Sequence, residues 1–339
     1  MSIRKVYRVK PGNISNLSIS EEFLADPEDG QAQIKVRSIG LNFADLYAVW
    51  GLYSATPEGK FIPGLEVSGT VIKTKPGSRF KAGDRVMAVT KFGAYSDHIN
   101  LDESYIIRLP DAWSFDEGAA FLVQVLTAYY ALFELGNLKS DQMVLIHSGA
   151  GGVGHFANWL AKSVGATTIG TTASEEKVDK MLGEGYDYAL VRTPSFKKDL
   201  TKIIADRSLS LILECIGGKI LKEGFDLLAP QGRMIVYGAA NFTTNSDRPN
   251  YLKMGLKYLF RPKIDPMSLP TTNRSIMGFN LIYLYDQVDL MHQMLAKISS
   301  INLPKPVIGK TFVFAALPEA LRSLRSGRTV GKVIVNCPE

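Results

Sequence analysis

Three glycines, Gly149, Gly151 and Gly154, have the spacing G-x-G-x-x-G, which suggests phosphate binding. The apolar segment QMVLIHS precedes them, and the helix-like segment HFANWLAKSVG follows. In a strand–turn–helix unit, the first glycine permits a tight turn, the second lets the backbone approach a pyrophosphate, and the third lets the helix pack on the strand. The free N–H groups of the helix N-terminus favour an anion there. The pattern predicts a dinucleotide site, and a plain strand–helix loop stays the alternative.

The end of the next strand indicates which dinucleotide would bind. An NAD site usually has Asp or Glu there, about 20 residues after the glycines, to bind the ribose 2′-hydroxyl. Here the strand ends at Thr171 and Thr172, Ser174 and Lys177 follow, and Arg192 comes after the third strand. Hydroxyl groups and cations suit a 2′-phosphate, so the sequence favours NADPH. Lys177 and Arg192 could each instead be an ordinary surface charge.

The ligands of a catalytic zinc ion are missing from the sequence. Zinc takes three or four converging Cys, His or carboxylate ligands. The chain has no cysteine before Cys215, and its four histidines, at 98, 147, 155 and 292, form no pair at ligand spacing. We therefore predict no metal. Without one an alcohol is hard to oxidise, whereas a quinone or conjugated carbonyl can accept hydride directly, given orientation and a donor for the developing oxyanion.

The segments that position these residues alternate between strand-like and helix-like patterns from residue 143 onwards. The strand-like segments are MVLIHS, ATTIGTT, YALVR, LSLILEC and RMIVYG. Such alternation predicts an α/β fold with a doubly wound parallel sheet. The first 120 or so residues have short β-type runs broken by Gly, Pro and Asp. We predict that residues 1–123 and 275–339 form a discontinuous β domain and that 124–274 bind the dinucleotide.

The composition, 46% hydrophobic and 21% charged over 339 residues, is that of a globular protein with two domains. We find no apolar run near the ~18 residues of a membrane span and no signal peptide. Two cysteines, Cys215 and Cys337, fit free thiols in a reducing cytoplasm. The net charge of +6 suits an anionic cofactor, and no nucleic-acid-binding signature accompanies it. We expect a cytoplasmic protein that binds small molecules and no nucleic acid.

Six segments together resemble the zinc-independent medium-chain dehydrogenase/reductases of the quinone oxidoreductase type. They are GLNFADLYAVWGLY (40–53), PGLEVSGTV (63–71), KAGDRVM (81–87), AAFLVQVLTAYYAL (119–132), GAGGVG (149–154) and GKVIV (331–335). Within this family, YGAAN, IMGFNLIYL and GRTVGKVIV are similar to the vesicle amine transport protein homologue subgroup. Alcohol dehydrogenase relatives carry GHE where this chain has GLE, so Leu65 replaces a zinc-site histidine. The resemblance implies a GroES-like β domain that faces a Rossmann domain across a cleft, and a homodimer.

The resemblance also implies roles for residues at the reacting end of the cleft. Asn42 would approach the nicotinamide ribose and the reacting carbonyl, and Asp45 would orient Asn42 or its loop. Tyr47 and Tyr53 would line the pocket, and Thr127 would contact the nicotinamide carboxamide. Structural alternatives stay open: an Asx-type turn for the first pair, core packing for the two tyrosines, and a bond from Thr127 to its own backbone.

Further residues would bind the rest of the cofactor. Around the pyrophosphate we expect Gly149, Ala150, Gly151, Gly152, Val153 and Gly154. Near the 2′-phosphate we expect Thr172, Ser174, Lys177 and Arg192, the last standing where relatives often have a tyrosine. Along the nicotinamide half and the C-terminal tail we expect Ile216, Gly238, Phe279, Asn280 and Arg328.

Three functions fit these observations. The first is an NADPH-dependent reductase of quinones or α,β-unsaturated carbonyls, with Asn42 or water stabilising the oxyanion and Tyr53 donating a proton. The second is an enoyl-thioester reductase, because such relatives have a tyrosine at similar spacing; it would need a basic entrance for phosphopantetheine or coenzyme A. The third is peripheral membrane binding by the basic, apolar segment 248–263, for which the more ordinary role is a lid or dimer edge.

Overall fold

The structure is a computed structural model that describes residues 2–338. The N-terminal part contributes seven strands and three helices. They are β1 (Ser2–Arg8), β2 (Ser18–Leu24), β3 (Gln31–Gly40), α1 (Phe43–Val49), β4 (Glu66–Thr74), β5 (Arg85–Val89), β6 (His98–Asp102), β7 (Ile106–Arg108), α2 (Phe115–Gly118) and α3 (Leu122–Tyr129). A π-helical turn, Tyr130–Leu135, extends α3 toward the second domain.

The second domain alternates strands and helices, as predicted. Its elements are β8 (Met143–His147), α4 (Gly152–Ser163), β9 (Thr167–Thr172), α5 (Val178–Gly183), β10 (Tyr188–Val191), α6 (Phe196–Ile204), β11 (Leu209–Glu214), α7 (Gly218–Leu227), β12 (Arg233–Val236), α8 (Tyr251–Leu259), α9 (Ser268–Thr272) and β13 (Ser275–Gly278). The C-terminal part follows with α10 (Leu281–Leu284), α11 (Val288–Ser299), β14 (Ile308–Val313), α12 (Leu317–Arg325) and β15 (Lys332–Asn336).

The six strands of the second domain form one parallel sheet in the order β10-β9-β8-β11-β12-β13. This is the doubly wound order 3-2-1-4-5-6, and the strand order reverses between β8 and β11. Side chains of β8 alternate between the faces: Val144 and Ile146 pack in one core, and Leu145 packs in the core on the other side. Apolar side chains can point to both sides because helices cover both faces of a parallel sheet.

The β domain is built from both ends of the chain. Its seven-stranded sheet has the order β14-β15-β3-β4-β5-β7, with β6 also paired to β3, and β1 pairs with β2 in a separate ribbon. Strand β15 is antiparallel to β3, so the C-terminal tail returns to the N-terminal sheet as expected. Fully buried Trp50, Tyr95 and Leu321 belong to the core that joins these parts.

The parallel sheet extends beyond the predicted boundary at residue 275. Strand β13 pairs with β12, Ser275 opposite Arg233, and is therefore the sixth strand of the dinucleotide-binding domain. The return to the β domain is clear only at β14, from Ile308. A four-residue edge strand after a long insertion carries too little periodicity to be identified from sequence.

One helical stretch, Phe115–Leu135, is long and apolar enough to cross a membrane by length and composition. The prediction that no apolar run approaches this length was wrong. Polar residues such as Gln124 interrupt the run, but the mean hydropathy of the stretch is still high enough for a membrane span. In the structure 72% of the relevant window is buried inside the protein. The stretch, which comprises α2, α3 and the π-helical turn, therefore belongs to the protein core.

Candidate active site

A cleft of about 970 Å³ lies between the domains, at the carboxyl ends of the parallel strands. This is where ligands bind in doubly wound folds. Sixteen of the predicted site residues line it: Asn42, Tyr47, Tyr53, Thr127, Ala150, Gly151, Gly152, Val153, Gly154, Thr172, Lys177, Arg192, Ile216, Gly238, Phe279 and Asn280. Asp45, Gly149 and Ser174 do not line the cleft, and Arg328 lies in a separate depression.

The glycine turn connects β8 to α4, and its glycines have different tasks. A Cβ on Gly154 would lie 2.4 Å from the carbonyl oxygen of Gly149, so this glycine lets the helix pack on the strand. A Cβ on Gly149 would lie 2.8 Å from Met181 Sδ. The first glycine was expected to permit the tight turn, and the left-handed residue of this turn is the preceding one, Ser148, with φ 56°. Gly151, the N-cap of α4, faces the cleft, and its Cβ would meet only the Ser148 carbonyl oxygen at 3.2 Å.

Two cations converge at the carboxyl end of β9. Arg192 donates through Nη1 to Thr171 Oγ1 at 2.8 Å. Lys177 donates through Nζ to the carbonyl oxygens of Gly327 at 2.6 Å and Thr329 at 2.8 Å, and so joins the two domains. Burial, and after it the charge of Arg192, lowers the pKa of Lys177 below its ordinary value. An anion between the two cations would relieve this repulsion.

Two other residues predicted to bind the cofactor, Ser174 near the 2′-phosphate and Arg328 from the C-terminal tail, do not line the cleft. The backbone N–H of Ser174 donates to Thr172 Oγ1 at 3.2 Å, and the serine does not line the cleft. Arg328 is exposed and lines the separate depression.

The Asn42 side chain is the centre of a buried hydrogen-bond network. Its Nδ2 donates to Glu66 Oε1 at 3.0 Å and to the Gly40 carbonyl oxygen at 3.2 Å. Its Oδ1 accepts from Gln124 Nε2 and from Lys332 Nζ, each at 2.8 Å. Both amide protons are therefore used within the protein. Asn42 was predicted to donate a hydrogen bond to the oxyanion. In the structure it has no free amide proton for this role, and its side chain instead holds its neighbours in place.

Three residues of this network were missing from the sequence-based site: Glu66, Gln124 and Lys332. Lys332 Nζ forms an ion pair with Glu66 Oε1, and Glu66 Oε2 accepts the backbone N–H of Val123 at 3.2 Å. Gln124 and Lys332 line the cleft, and each has a proton that no bond to the network uses. A charged or amide side chain within the apolar segments LEVSG, FLVQVL and GKVIV is the signal that could have identified them.

Asp45 supports the loop before α1, as the resemblance implied, from outside the cleft. Its Oδ2 accepts the backbone N–H of Asn42 at 2.8 Å and the Tyr95 hydroxyl at 3.1 Å. The first contact is half of a capping box. Burial raises the pKa of Asp45 to about 7, because the hydrogen bond from Asn42 and the charge of Lys332 only partly offset the loss of solvent.

The aromatic and hydroxyl groups of the reacting end are also engaged. The Tyr53 hydroxyl donates to Asn280 Oδ1 at 2.6 Å, and burial raises the pKa of Tyr53 well above its ordinary value. The Tyr47 hydroxyl donates to the Ala239 carbonyl oxygen at 2.8 Å. Thr127 Oγ1 donates to the Val123 carbonyl oxygen at 2.7 Å, so the backbone bond considered above is present. The Thr127 oxygen still has a lone pair that can accept from an amide.

The position of a zinc-site histidine is apolar. Leu65 is 4% exposed and lines the cleft. Within residues 2–338, no group of three or more His, Cys, Asp or Glu side chains could hold a metal ion.

The insertion after β12 folds over the mouth of the cleft. Along α8, Tyr251, Met254, Gly255 and Tyr258 line the cleft, the i, i+3, i+4, i+7 spacing of one helix face. Asp247 anchors the insertion to the β domain: its carboxylate accepts from Arg322 Nη2 and Arg325 Nη1, each at 2.7 Å. This geometry is that of a lid. Leu252 and Phe260, 78% and 77% exposed, point away from the cleft.

Fold and site together define a medium-chain dehydrogenase/reductase. The family model "Alcohol dehydrogenase GroES-like domain" matches residues 28–111, and the model "Zinc-binding dehydrogenase" matches residues 152–297. The chain belongs to the medium-chain dehydrogenase/reductase family, as an oxidoreductase of the VAT-1/quinone oxidoreductase type.

Three similar proteins illustrate this membership. The human synaptic vesicle membrane protein VAT-1 homolog is 33% identical over 313 residues, which cover 91% of this chain and 79% of the relative. The crystal structure of the human VAT-1 homolog-like protein superposes with a TM-score of 0.84 at 27% identity and covers 100% of this chain and 99% of that one. The quinone oxidoreductase from Thermus thermophilus, solved also as its complex with NADPH, superposes with a TM-score of 0.79 at 27% identity and covers 98% and 99%.

Proposed function

We propose that the protein is an NADPH-dependent reductase that acts on quinones or α,β-unsaturated carbonyls and needs no metal. The observation that carries this proposal is the charge of the cleft. Its described lining includes three cations, Lys177, Arg192 and Lys332, and no Asp or Glu. Two of the cations lie where an NAD site would have a carboxylate for the ribose 2′-hydroxyl. A 2′-phosphate satisfies them, and a plain ribose does not.

The residues present fit the remainder of the cofactor. Gly151 leaves its side of the turn open, so that a pyrophosphate can approach the N-terminus of α4. Thr127 can accept from the carboxamide. Phe279, whose ring centroid lies 4.9 Å from that of Tyr130 and 6.1 Å from that of Tyr237, forms an aromatic wall on the nicotinamide side.

The chain's own residues then prepare the reaction. NADPH supplies a hydride when bound. Leu65, Leu281 and Ile282 make the adjoining volume apolar and exclude water, which strengthens every electrostatic contact inside it. Tyr53 is protonated at neutral pH, and its hydroxyl can turn from Asn280 to a carbonyl oxygen on which negative charge develops. Lys332 and Gln124 each have a remaining N–H that can donate to a polar group nearby.

A second candidate, reduction of an enoyl thioester, is favoured by a specific observation. A depression of about 680 Å³ lies on the outer side of the 324–329 tail, whose inner side borders the cleft. Its cations are Lys310, Arg322, Arg325 and Arg328, of which Arg322 and Arg325 are paired with Asp247. This basic surface supports the second candidate, because phosphopantetheine or coenzyme A would need cations near the cleft.

One set of assays tests the proposal. NADPH and NADH are titrated against the protein by nicotinamide fluorescence, and turnover is measured with a naphthoquinone, a simple enone and crotonyl-CoA in the presence of EDTA. We expect tighter binding of NADPH and turnover of the first two acceptors. Preference for crotonyl-CoA supports the second candidate. No turnover of any acceptor by protein with NADPH bound contradicts both.

Assembly and location are further proposals. We propose a homodimer through the free edge of β13, the last strand of the parallel sheet, in the cytoplasm. The exposed side of α8 could instead bind anionic membranes through Lys253, Lys257 and Arg261. Co-sedimentation with phosphatidylserine vesicles, repeated with these three residues neutralised, tests membrane binding; unchanged binding removes this role.

A further inference from the structure

Arg192 is held from behind by a line of buried polar groups that crosses the parallel sheet. Its Nη1 donates to Thr171 Oγ1 at 2.8 Å, and this oxygen lies 2.8 Å from His147 Nδ1. On the other side of the ring, Nε2 lies 3.3 Å from Glu214 Oε2. Thr171, His147 and Glu214 are all 0% exposed. The line passes from the end of β10 over β9 and β8 to the end of β11, four consecutive strands of the sheet.

The direction of each hydrogen bond follows from which groups are available. Thr171 Oγ1 accepts from Arg192, so its own proton needs an acceptor, and within residues 2–338 His147 Nδ1 is the candidate. His147 Nδ1 therefore carries no proton, and Nε2 does. Neither Nε2 nor Glu214 Oε2 has an aligned hydrogen-bond partner among the described residues, and the two atoms face each other at a fully buried position. A lone pair on Nε2 would repel the carboxylate there, whereas an N–H is attracted.

Glu214 is the charged end of this line. The backbone N–H groups of Ile216 and Gly217 donate to Oε1 and favour its charged form. Its Oε1 accepts the Gly217 N–H at 2.7 Å, so the same carboxylate fixes the loop that carries Ile216 into the cleft. A guanidinium at one end and a carboxylate at the other are connected by two neutral groups, each of which donates toward Glu214.

We infer that Glu214 and His147, acting through Thr171, are positioning residues that hold Arg192 in place for the 2′-phosphate and thereby set a preference for NADPH over NADH. This inference rests on the proposed function. Without these contacts the Arg192 side chain would have many rotamers, and binding of the cofactor would have to restrict them. Because the side chain is already fixed, the free energy of cofactor binding does not include this loss of conformational entropy. Lys177, by contrast, is held by carbonyl oxygens of the C-terminal tail and is independent of this line.

Substitution of Thr171 is the direct test, because valine keeps its shape and removes its hydroxyl. For Thr171→Val we expect the Kd and KM of NADPH to rise about tenfold, with kcat and the Kd of NADH within twofold of the original protein. Thr171→Ser restores the hydroxyl and should restore NADPH affinity. The matched control is Thr168→Val on the same strand, a buried threonine that contacts Asp187, and it should leave the NADPH to NADH ratio unchanged.

A second variant keeps the test decisive if Thr171→Val fails to fold. Glu214→Gln retains an oxygen for the backbone N–H groups and removes the charge, and we expect it to lower the NADPH to NADH preference without loss of NADH binding. Equal weakening of both nucleotides, or an unchanged ratio in folded Thr171→Val and Glu214→Gln proteins, overturns the inference.

A measurement without cofactor separates failure of this inference from failure of the proposed function. Side-chain ¹⁵N NMR of the free protein, with His147 assigned from a His147→Gln spectrum, should show the neutral Nε2–H tautomer, which changes in Thr171→Val. An Nδ1–H tautomer overturns the line of hydrogen bonds whatever nucleotide binds. The original protein could have the Nε2–H tautomer and still bind NADPH and NADH equally. That result would overturn the proposed use of NADPH, and with it the proposed role of Glu214 and His147 in the preference for NADPH.

Discussion

Lys332 and Glu66 form an ion pair at the inner wall of the cleft, and their side chains are only 4% and 0% exposed. One lies on the last strand of the chain and the other on β4, so the pair joins the two ends of the β domain directly beside the cleft. Asn42 bonds both partners, through Oδ1 to Lys332 and through Nδ2 to Glu66. The reacting end of the cleft thus has a fixed polar wall whose charges balance.

Removing one partner of this pair should destabilise the protein strongly. Lys332→Met leaves the Glu66 carboxylate buried without a cation, and we expect the free energy of unfolding to fall by about 3 kcal/mol or more. Chemical denaturation measures this. The double variant Lys332→Met/Glu66→Met should recover most of the loss. Lys91→Met, which breaks a pair whose side chains are 51% and 67% exposed, should cost less than about 1 kcal/mol. Equal effects of Lys332→Met and Lys91→Met contradict the account.

Stability should depend on pH through Asp45. Its pKa is raised from 3.8 to about 7, so the folded state holds this proton more tightly than the unfolded state does. The contribution of Asp45 to stability is therefore greatest below about pH 4, falls as the pH rises, and levels off above about pH 7. Between pH 5 and pH 8 the original protein should lose about 3 kcal/mol relative to Asp45→Asn, which cannot ionise. Parallel stability curves for the two proteins would show that Asp45 does not titrate in this range.

The second and third glycines of the G-x-G-x-x-G motif, Gly151 and Gly154, should respond differently to alanine. Gly154→Ala places a methyl group 2.4 Å from the Gly149 carbonyl oxygen, where backbone must move, so both stability and nucleotide binding should fall. Gly151→Ala meets only one atom, at 3.2 Å, and projects beside the pyrophosphate site. It should keep its melting temperature within a few degrees and weaken NADPH binding at least tenfold. Thermal melts and nucleotide titrations of both variants check this, and tight binding by Gly151→Ala contradicts the predicted cofactor position.

Substitution of Tyr53 should slow reduction of the acceptor and leave the affinity for NADPH unchanged. Tyr53→Phe removes the hydroxyl that bonds Asn280, and we expect kcat/KM for an enone to fall between tenfold and a hundredfold while the Kd of NADPH stays within twofold. Because the raised pKa keeps Tyr53 protonated, the original rate should show no tyrosine ionisation below about pH 10. Tyr283→Phe, at a tyrosine 52% exposed near the same loop, is the control and should leave both constants unchanged.

Sequence patterns predicted those parts of the site whose residues lie close together in the sequence. The turn between β8 and α4 was identifiable because its glycines, strand and helix are contiguous, and the threonines at the end of β9 lie at a fixed distance from it. The network around Asn42 was not identifiable in this way. Glu66, Gln124 and Lys332 come from three distant segments, and only the closure of the β domain by β15 brings them together.

The differences at Gly149, Arg328 and β13 have physical causes of the same kind. Ser148 takes the left-handed conformation of the turn. Gly149 has a different role: its lack of a side chain makes room for Met181, which belongs to another helix. Arg328 follows a helix end whose exit direction the sequence does not specify. Strand β13 is recognised by its partner β12, and its own four residues carry no clear alternation.

The most direct test of the central claim follows the hydride. NADPH deuterated at the transferred C4 position is incubated with the protein, EDTA and an enone that the protein reduces, and the product is analysed by NMR and mass spectrometry. The account predicts one deuterium on the carbon β to the carbonyl, a proton from solvent on the α carbon, and a slower rate than with unlabelled NADPH. A product without deuterium, or activity that EDTA abolishes and zinc restores, would contradict direct, metal-free transfer.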